Sequence, residues 1–326
     1  MREFRVNFND AGQRLDKYLT KSLPLLPKSL MYKSIRKKKI KVNRGRAEPS
    51  QILSEGDTIQ LFLAEELFET TPDNIFMKII PDISVLYENS EFILVDKKPG
   101  MAVHSGNAGG TGAGCSAADE SGTLINHIKA YLWRRGEYRP DEERSFAPAL
   151  CNRIDRNTGG IVIAAKTAEA LRRINEEIRR GEVTKKYLCA VHGKMEKSSG
   201  RLTGWMEKDS EHNIVRVYSG QRKTSHGKTM ITDYRVLAEQ NGLSLLEVTL
   251  LTGRTHQIRA QMQAAGHPLL GEGKYGVNRN HPSRRKRGYR FQALYAYSIT
   301  LEGKSYTVEM NPEKIKFLKE FDKCIL

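Results

Sequence analysis

The chain has 326 residues, 39% of them hydrophobic, and a formal net charge of +16 from 54 Lys or Arg against 38 Asp or Glu. That length holds one large domain and one small one, and the positive excess points to a polyanionic partner, nucleic acid ahead of an anionic membrane surface. Several classes fall away: no apolar run of about 18 residues marks a spanning helix, MREFRVNFND lacks the apolar segment of a secretory signal, and Cys115, Cys151, Cys189 and Cys324 form no CxxC pair and read as reduced, cytoplasmic thiols.

Residues 1–63 hold 14 Lys or Arg and 6 Asp or Glu, an excess of eight positive charges, half the total. In RLDKYLTKSL, Leu15, Tyr18, Leu19 and Leu23 share one helical face. After Pro24 and Pro27, Ser29 is a candidate cap for a second helix, SLMYKSIRKKK, with Met31 and Ile35 on its apolar side. IKVN reads as a strand, NRGR as a turn and DTIQLFL as a second strand. A helix end favours cations through its dipole. The run Arg36, Lys37, Lys38, Lys39 exceeds what a dipole needs and, with Arg14, is expected to touch RNA.

Residues 64–82 change sign and read as a linker; the expected domains are 1–72 and 73–326. VLYENSEFILVDKKPG has a hairpin signal around Glu88-Asn89-Ser90-Glu91. GGIVIAAK, KKYLCAVHG, MITDYRVL and SLLEVTLL are further strand candidates. TLINHIKAYLWRR, TAEALRRINEEIRR and THQIRAQMQAAG are helix candidates. The last is expected to start on Thr255 as cap, to pack Ile258, Met262 and Ala265, and to stop at Gly266. The pattern is α+β, with two loops: 104–122, carrying six glycines, and 279–290, carrying six Lys or Arg and no acid.

GGTGAG lacks the GxGxxG spacing, and GHPLLGEGK nearly spells a phosphate loop but places Glu272 and Gly273 before Lys274. There is no GxSxG elbow and no HExxH. His256 and His267 flank one helix, open to a core or an RNA role. A metal-free, cofactor-free carboxylate is the remaining enzymatic option, and NRIDRNTGG (152–160) offers Asp155. Asp suits an Asx turn into a strand; a loop carboxylate presented by a rigid sheet also suits chemistry. A guanidinium beside it would favour its charged form, and Arg153, Arg156 and Arg254 are the candidates.

NRIDRNTGGIVIAAKT resembles the central motif of the RluA-type pseudouridine synthases, roughly HRLDxxTSGLLLxAK. VLYENSEFILVDKKPGMAVH is similar to that family's opening motif, KKYLCAVHG to the strand with its active-site tyrosine, and LLEVTLLTGRTHQIRAQMQAAGHPLLGEGKYG to its C-terminal signature. The N-terminal module resembles the alpha-L RNA-binding fold. The resemblance covers nearly the whole chain. It implies a mixed, largely antiparallel catalytic sheet and isomerisation of uridine in RNA: the N1–C1′ bond breaks, the base turns, and C5 rejoins C1′. It makes Asp155 the essential aspartate, by covalent adduct or by sugar deprotonation. Tyr187 becomes the tyrosine near the base that takes the C5 proton, Arg254 the aspartate's partner, and Arg153 the filler of the gap left by the flipped uridine. Thr158 and the glycines are expected to let backbone approach the substrate. Relatives often have His at 152, Ser at 159, Pro at 105 and His at 295.

The alpha-L arrangement (RluC and RluD types) implies large-subunit ribosomal RNA, with transfer RNA as the alternative. A monomer is expected, with no cofactor, no metal and no membrane partner. Rival readings are a non-catalytic RNA-binding or ribosome-assembly factor, which would need no buried acid facing RNA, and a membrane-surface protein, for which IRKKKIKV is too short.

Overall fold

A computed structural model describes residues 1–68, 75–104, 122–209, 214–218, 227–275 and 288–321. The glycine-rich stretch 105–121 and most of the basic stretch 279–290 lie outside the described residues, as do Cys115 and Cys324.

The N-terminal module has four strands, β1 (Arg2–Arg5), β2 (Ile40–Val42), β3 (Gly45–Arg46) and β4 (Thr58–Leu61), in the order β1-β4-β2-β3. All of these pairs are antiparallel. The helices Leu15–Ser22 and Lys28–Arg36 close one core with this sheet, and Leu15, Tyr18, Leu19, Leu23, Met31 and Ile35 are all buried. The second helix starts after Pro27, which presets its φ, so Ser29 is not its cap. It ends at Arg36, and Lys38 takes a left-handed backbone that turns the chain into β2. Asn43 and Arg44, both at positive φ, turn β2 into β3, as a tight hairpin requires.

The larger sheet has eleven strands among the described residues. They are β5 (Ser84–Glu88), β6 (Phe92–Lys97), β7 (Ala149–Leu150), β8 (Gly159–Ala165), β9 (Thr184–His192), β10 (Ser199–Asp209), β11 (Ile214–Tyr218), β12 (Lys228–Gln240), β13 (Leu243–Leu250), β14 (Leu294–Leu301) and β15 (Lys304–Thr307). The path runs β11-β10-β12-β13-β9-β14-β8-β6-β5, with β7 beside β8 and β15 beside β14. Its pairs are antiparallel except β14 with β8, so the sheet is mixed, in an α+β fold.

Strand alternation splits the core in two. Phe92, Leu94, Ile161, Leu188 and Tyr295 face the helix Ala168–Arg180 and the C-terminal turns. Ile93, Val95, Val162, Tyr187 and Cys189 face the helices Leu124–Arg134 and Gln257–Ala264. The expected hairpin forms because Asn89 Oδ1 accepts the N–H groups of Glu91 and Phe92. Thr167 caps the helix Ala168–Arg180 from its hydroxyl.

The N-terminal module is tied to the larger sheet by polar bonds. Fully buried Asp10 accepts the backbone N–H of Arg144 at 3.2 Å and of Ser145 at 2.9 Å, and the Ser145 hydroxyl at 2.5 Å. Asn9 donates to Glu143 and accepts from Ala168 N–H. The Arg144 guanidinium lies 4.1 Å from the Phe4 ring centroid, near enough for cation–π attraction.

Candidate active site

Asp155 stands on the loop that joins β7 to β8. Where the main chain leaves the ladder, the Asn152 side chain continues the pairing: its Oδ1 accepts Ile163 N–H at 2.7 Å and its Nδ2 donates to the Ile161 carbonyl at 3.4 Å. Asparagine serves this position because it carries both a donor and an acceptor. Thr158 N–H then closes the loop onto the Asp155 carbonyl at 3.0 Å.

Gly159 and Gly160 follow. A Cβ on Gly160 would overlap the Ala296 backbone of β14, and a Cβ on Gly159 would lie 2.5 Å from the Tyr295 ring. The glycines therefore admit the neighbouring strand β14, not the substrate as the sequence suggested. Gly159 and Tyr295 are two halves of one packing solution: the ring fills the space a larger residue at 159 would need.

A second loop, 98–101, is stitched to the first. The Lys97 side chain is 1% exposed, and its Nζ donates to three carbonyls: Lys98 at 3.0 Å, Met101 at 2.9 Å and Arg156 at 3.0 Å. Gly100 N–H donates to Arg156 O, and Arg156 Nε returns a bond to Gly100 O. Burial lowers the Lys97 ammonium to about 7, although Asp155 and Asp96 pull the other way. Sequence reasoning missed Lys97, because nothing in KKPG says which lysine turns inward.

The partner of Asp155 is Arg259. Its Nη1 donates to Asp155 Oδ2 at 2.7 Å, while Nε and Nη2 grip the two oxygens of Glu272, each at 2.8 Å. Glu272 is 4% exposed and also accepts the N–H groups of Lys274 and Tyr275. Burial would discharge both side chains. For Arg259 the bonds to Glu272 and Asp155 outweigh it and raise the guanidinium; for Glu272 the bonds from Arg259 and the backbone outweigh it and lower the carboxyl. Such a pair survives desolvation only when its hydrogen bonds are complete.

Arg254, the expected partner, instead lies exposed and donates from Nε to the Thr229 carbonyl at 3.2 Å. The local fold explains the exchange. His256 adopts a left-handed backbone, φ 54, and the helix begins at Gln257. The Gln257 side chain accepts Arg254 N–H, so Thr255 is not the cap. Arg254 is left outside the helix and Arg259 sits in its first turn. Ala265, expected on the packed face, is exposed at the helix end, while Gly266 stops the helix at positive φ.

Tyr187, in β9 opposite Val248 and Ala296, is 6% exposed. Burial first, and the charge of Asp155 second, push its phenol above the ordinary tyrosine value. Arg153 is exposed beside His104, which burial, then Arg153 and Lys129, lower from the usual imidazole value. The structure thus brings Asp155 and Tyr187 together, adds Arg259, Glu272 and Lys97, and leaves Arg254 aside.

On the N-terminal module, Arg36, Lys37, Lys38 and Lys39 are exposed, and no described carboxylate pairs with them. Arg14 is about half exposed and grips Asp16, at 3.0 and 2.7 Å. Among the described residues no cluster of three His, Cys, Asp or Glu is arranged to hold a metal, and no helix is long and apolar enough to cross a membrane.

Residues 91–264 match the RNA pseudouridylate synthase family, and residues 13–59 match the S4 domain. A ribosomal large subunit pseudouridine synthase C from Haemophilus ducreyi is 31% identical over 92% of this chain and 87% of its own. The enzyme of that name from Vibrio vulnificus is 31% identical over 89% and 84%. An RNA pseudouridine synthase of Mycoplasma genitalium is 30% identical over 97% and 94%. Two human proteins share the fold. RNA pseudouridylate synthase domain containing 1 has a TM-score of 0.55 at 20% identity, over 78% of this chain and 90% of its own. Domain containing 4 has a TM-score of 0.57 at 17% identity, over 73% and 93%. With an S4 module docked on a mixed sheet, and a paired carboxylate beside a buried tyrosine at the centre of the matched region, this chain belongs to the RNA pseudouridylate synthase family, isomerases of uridine in RNA.

Proposed function

We propose that this chain converts specific uridines of large-subunit ribosomal RNA to pseudouridine, with Asp155 as the reacting carboxylate and Arg259 as the group that holds it. The observation that carries the reading is the short Arg259–Asp155 bond. It fixes Oδ2 and leaves Oδ1 without a hydrogen-bond partner among the described residues. An acid about one-quarter exposed, with one oxygen anchored and one free, suits attack at, or proton removal from, a ribose whose C1′ gains positive character.

Tyr187 enters as a neutral phenol. To take the C5 proton its oxygen must pass its own O–H proton to water, a step that the charge of Asp155 opposes and that eases once that charge has been consumed, by bonding to C1′ or by taking a sugar proton. To Arg153, exposed two residues before Asp155, we assign the stacking that fills the gap left by the flipped base. The exposed quartet Arg36–Lys39 supplies phosphate contacts on the S4 side, and the Asp10 network fixes the distance between these contacts and the site.

Support for the ribosomal substrate comes from the S4 module and from relatives named for the large ribosomal subunit. We take the acting unit to be one chain, working in the cytoplasm where ribosomes are assembled. Chemical mapping of pseudouridine in cellular RNA with and without the gene, followed by reconstitution on a transcript of the affected region, tests the substrate. Loss of a large-subunit site is expected; loss confined to transfer RNA would move the substrate to that class.

A further inference from the structure

His256 has no part in the chemistry assigned above, yet it occupies a backbone conformation that few non-glycine residues adopt, φ 54, immediately before the helix that carries Arg259. Its side chain is 12% exposed. Nδ1 lies 2.7 Å from the Tyr275 hydroxyl, and the two rings meet edge to face. That hydroxyl oxygen also accepts Val215 N–H at 3.0 Å.

The phenol has one proton to give, and among the described residues Nδ1 is its one acceptor; any other arrangement leaves a buried O–H unsatisfied. Nδ1 is therefore the bare nitrogen and the ring proton resides on Nε2, since the bond at one nitrogen selects the tautomer at the other. The charged groups around the ring are Asp155, Arg259, Lys274 and Glu272. Burial is the largest influence and lowers the imidazole to about 4, so the ring is neutral at pH 7.

Nε2 stands 4.0 Å from Asp155 Oδ2. That is too long for a hydrogen bond, but it admits one oxygen about 2.8 Å from each atom. Such an oxygen must accept from Nε2–H and donate to the carboxylate. A hydroxyl does both; a carbonyl or ring oxygen does not. In a site that works at the C1′ atom of a ribose, the adjacent hydroxyl is O2′.

We propose that His256 and Asp155 Oδ2 bind the ribose 2′-hydroxyl of the target uridine between them, His256 donating and Asp155 accepting. The pair thereby orients the sugar so that the free Oδ1 faces C1′. It also makes the site sensitive to ribose against deoxyribose at a single nucleotide, independently of how the rest of the RNA is held.

Two measurements test this. In the free protein, nitrogen-15 NMR of the His256 ring should report the Nε2–H tautomer, and Tyr275→Phe should release that preference; an Nδ1–H tautomer in the wild type would overturn the proposal. The second probe is a stem-loop RNA carrying the mapped uridine, compared with the same RNA bearing 2′-deoxyuridine at that position. Single-turnover rates at subsaturating RNA should fall at least about tenfold on deoxy substitution for the wild type. In His256→Asn, which tolerates the left-handed backbone, the ribo substrate should react more slowly, and the deoxy penalty should shrink to within about threefold. A purely structural role would slow both substrates alike, so an undiminished deoxy penalty in that variant would refute the contact.

Discussion

Arg259→Lys keeps the positive charge and removes the fork. The guanidinium makes two bonds to Glu272 and one to Asp155 from three different nitrogens. A lysine has a compact ammonium in place of the planar fork and cannot reproduce its three bonds, so one or two charge-assisted bonds are lost, each about 1.5–3 kcal/mol. The expected destabilisation is about 2–5 kcal/mol, which for a domain of this size lowers Tm by roughly 5–15 °C. A misplaced Asp155 should also cost about 100-fold or more in the chemical step. Arg254→Lys is the control: that side chain is exposed with one carbonyl bond, and its change should stay within about 0.5 kcal/mol. Both variants are assayed under single turnover at saturating RNA, by tritium release from 5-tritiated uridine, alongside thermal melting. Arg254→Lys failing in chemistry while Arg259→Lys remains active would refute the assignment of the aspartate's partner.

In Lys97→Met the informative readout is pH. The folded ammonium titrates near 7 against an ordinary 10.5, so between those values the unfolded chain holds more protons. Below pH 7 the full cost of burying the charge stands; above it that cost is relieved. Wild-type stability relative to Lys97→Met should therefore rise from pH 7 to 9 by up to about 1.4 kcal/mol per unit, and a flat difference in denaturant melts would contradict it. Gly159→Ser should cost about 1–3 kcal/mol through overlap with the Tyr295 ring. Tyr295→His should recover part of that in a double-mutant cycle, and strict additivity would show that the two sites do not share the space. Charge reversal at Arg36, Lys37, Lys38 and Lys39 should weaken RNA binding and flatten its salt dependence, by about 0.7–0.9 in log–log slope for each phosphate no longer neutralised; an unchanged slope would remove the quartet from the interface.

What the sequence revealed and what it hid follow the range of the interactions. Local signals were readable: the apolar stripe of Leu15, Tyr18 and Leu19, the Asn89 turn, and the loop-to-strand position of Asp155. That Arg259 and not Arg254 pairs with Asp155 was not, because it turns on a left-handed histidine, and the preference of His for that backbone is too weak to mark one position in a sequence. Glu272, which spoils a phosphate loop in GHPLLGEGK, is the second carboxylate of the Arg259 fork, a pairing visible only once the helix and the following loop are folded together. The fit of Gly159 against Tyr295 depends on β14 lying parallel to β8, a non-local pairing. The inward turn of Lys97 depends on three carbonyls that the sequence does not locate.

The most direct test of the account is Asp155→Asn, which preserves shape and removes the charge. Pseudouridine formation on the mapped RNA should fall by more than about 1000-fold, while RNA affinity, measured by filter binding at fixed salt, stays within a few-fold. Turnover within tenfold of the wild type, on a folded protein that still binds RNA, would show that the carboxylate held by Arg259 is not the group that reacts.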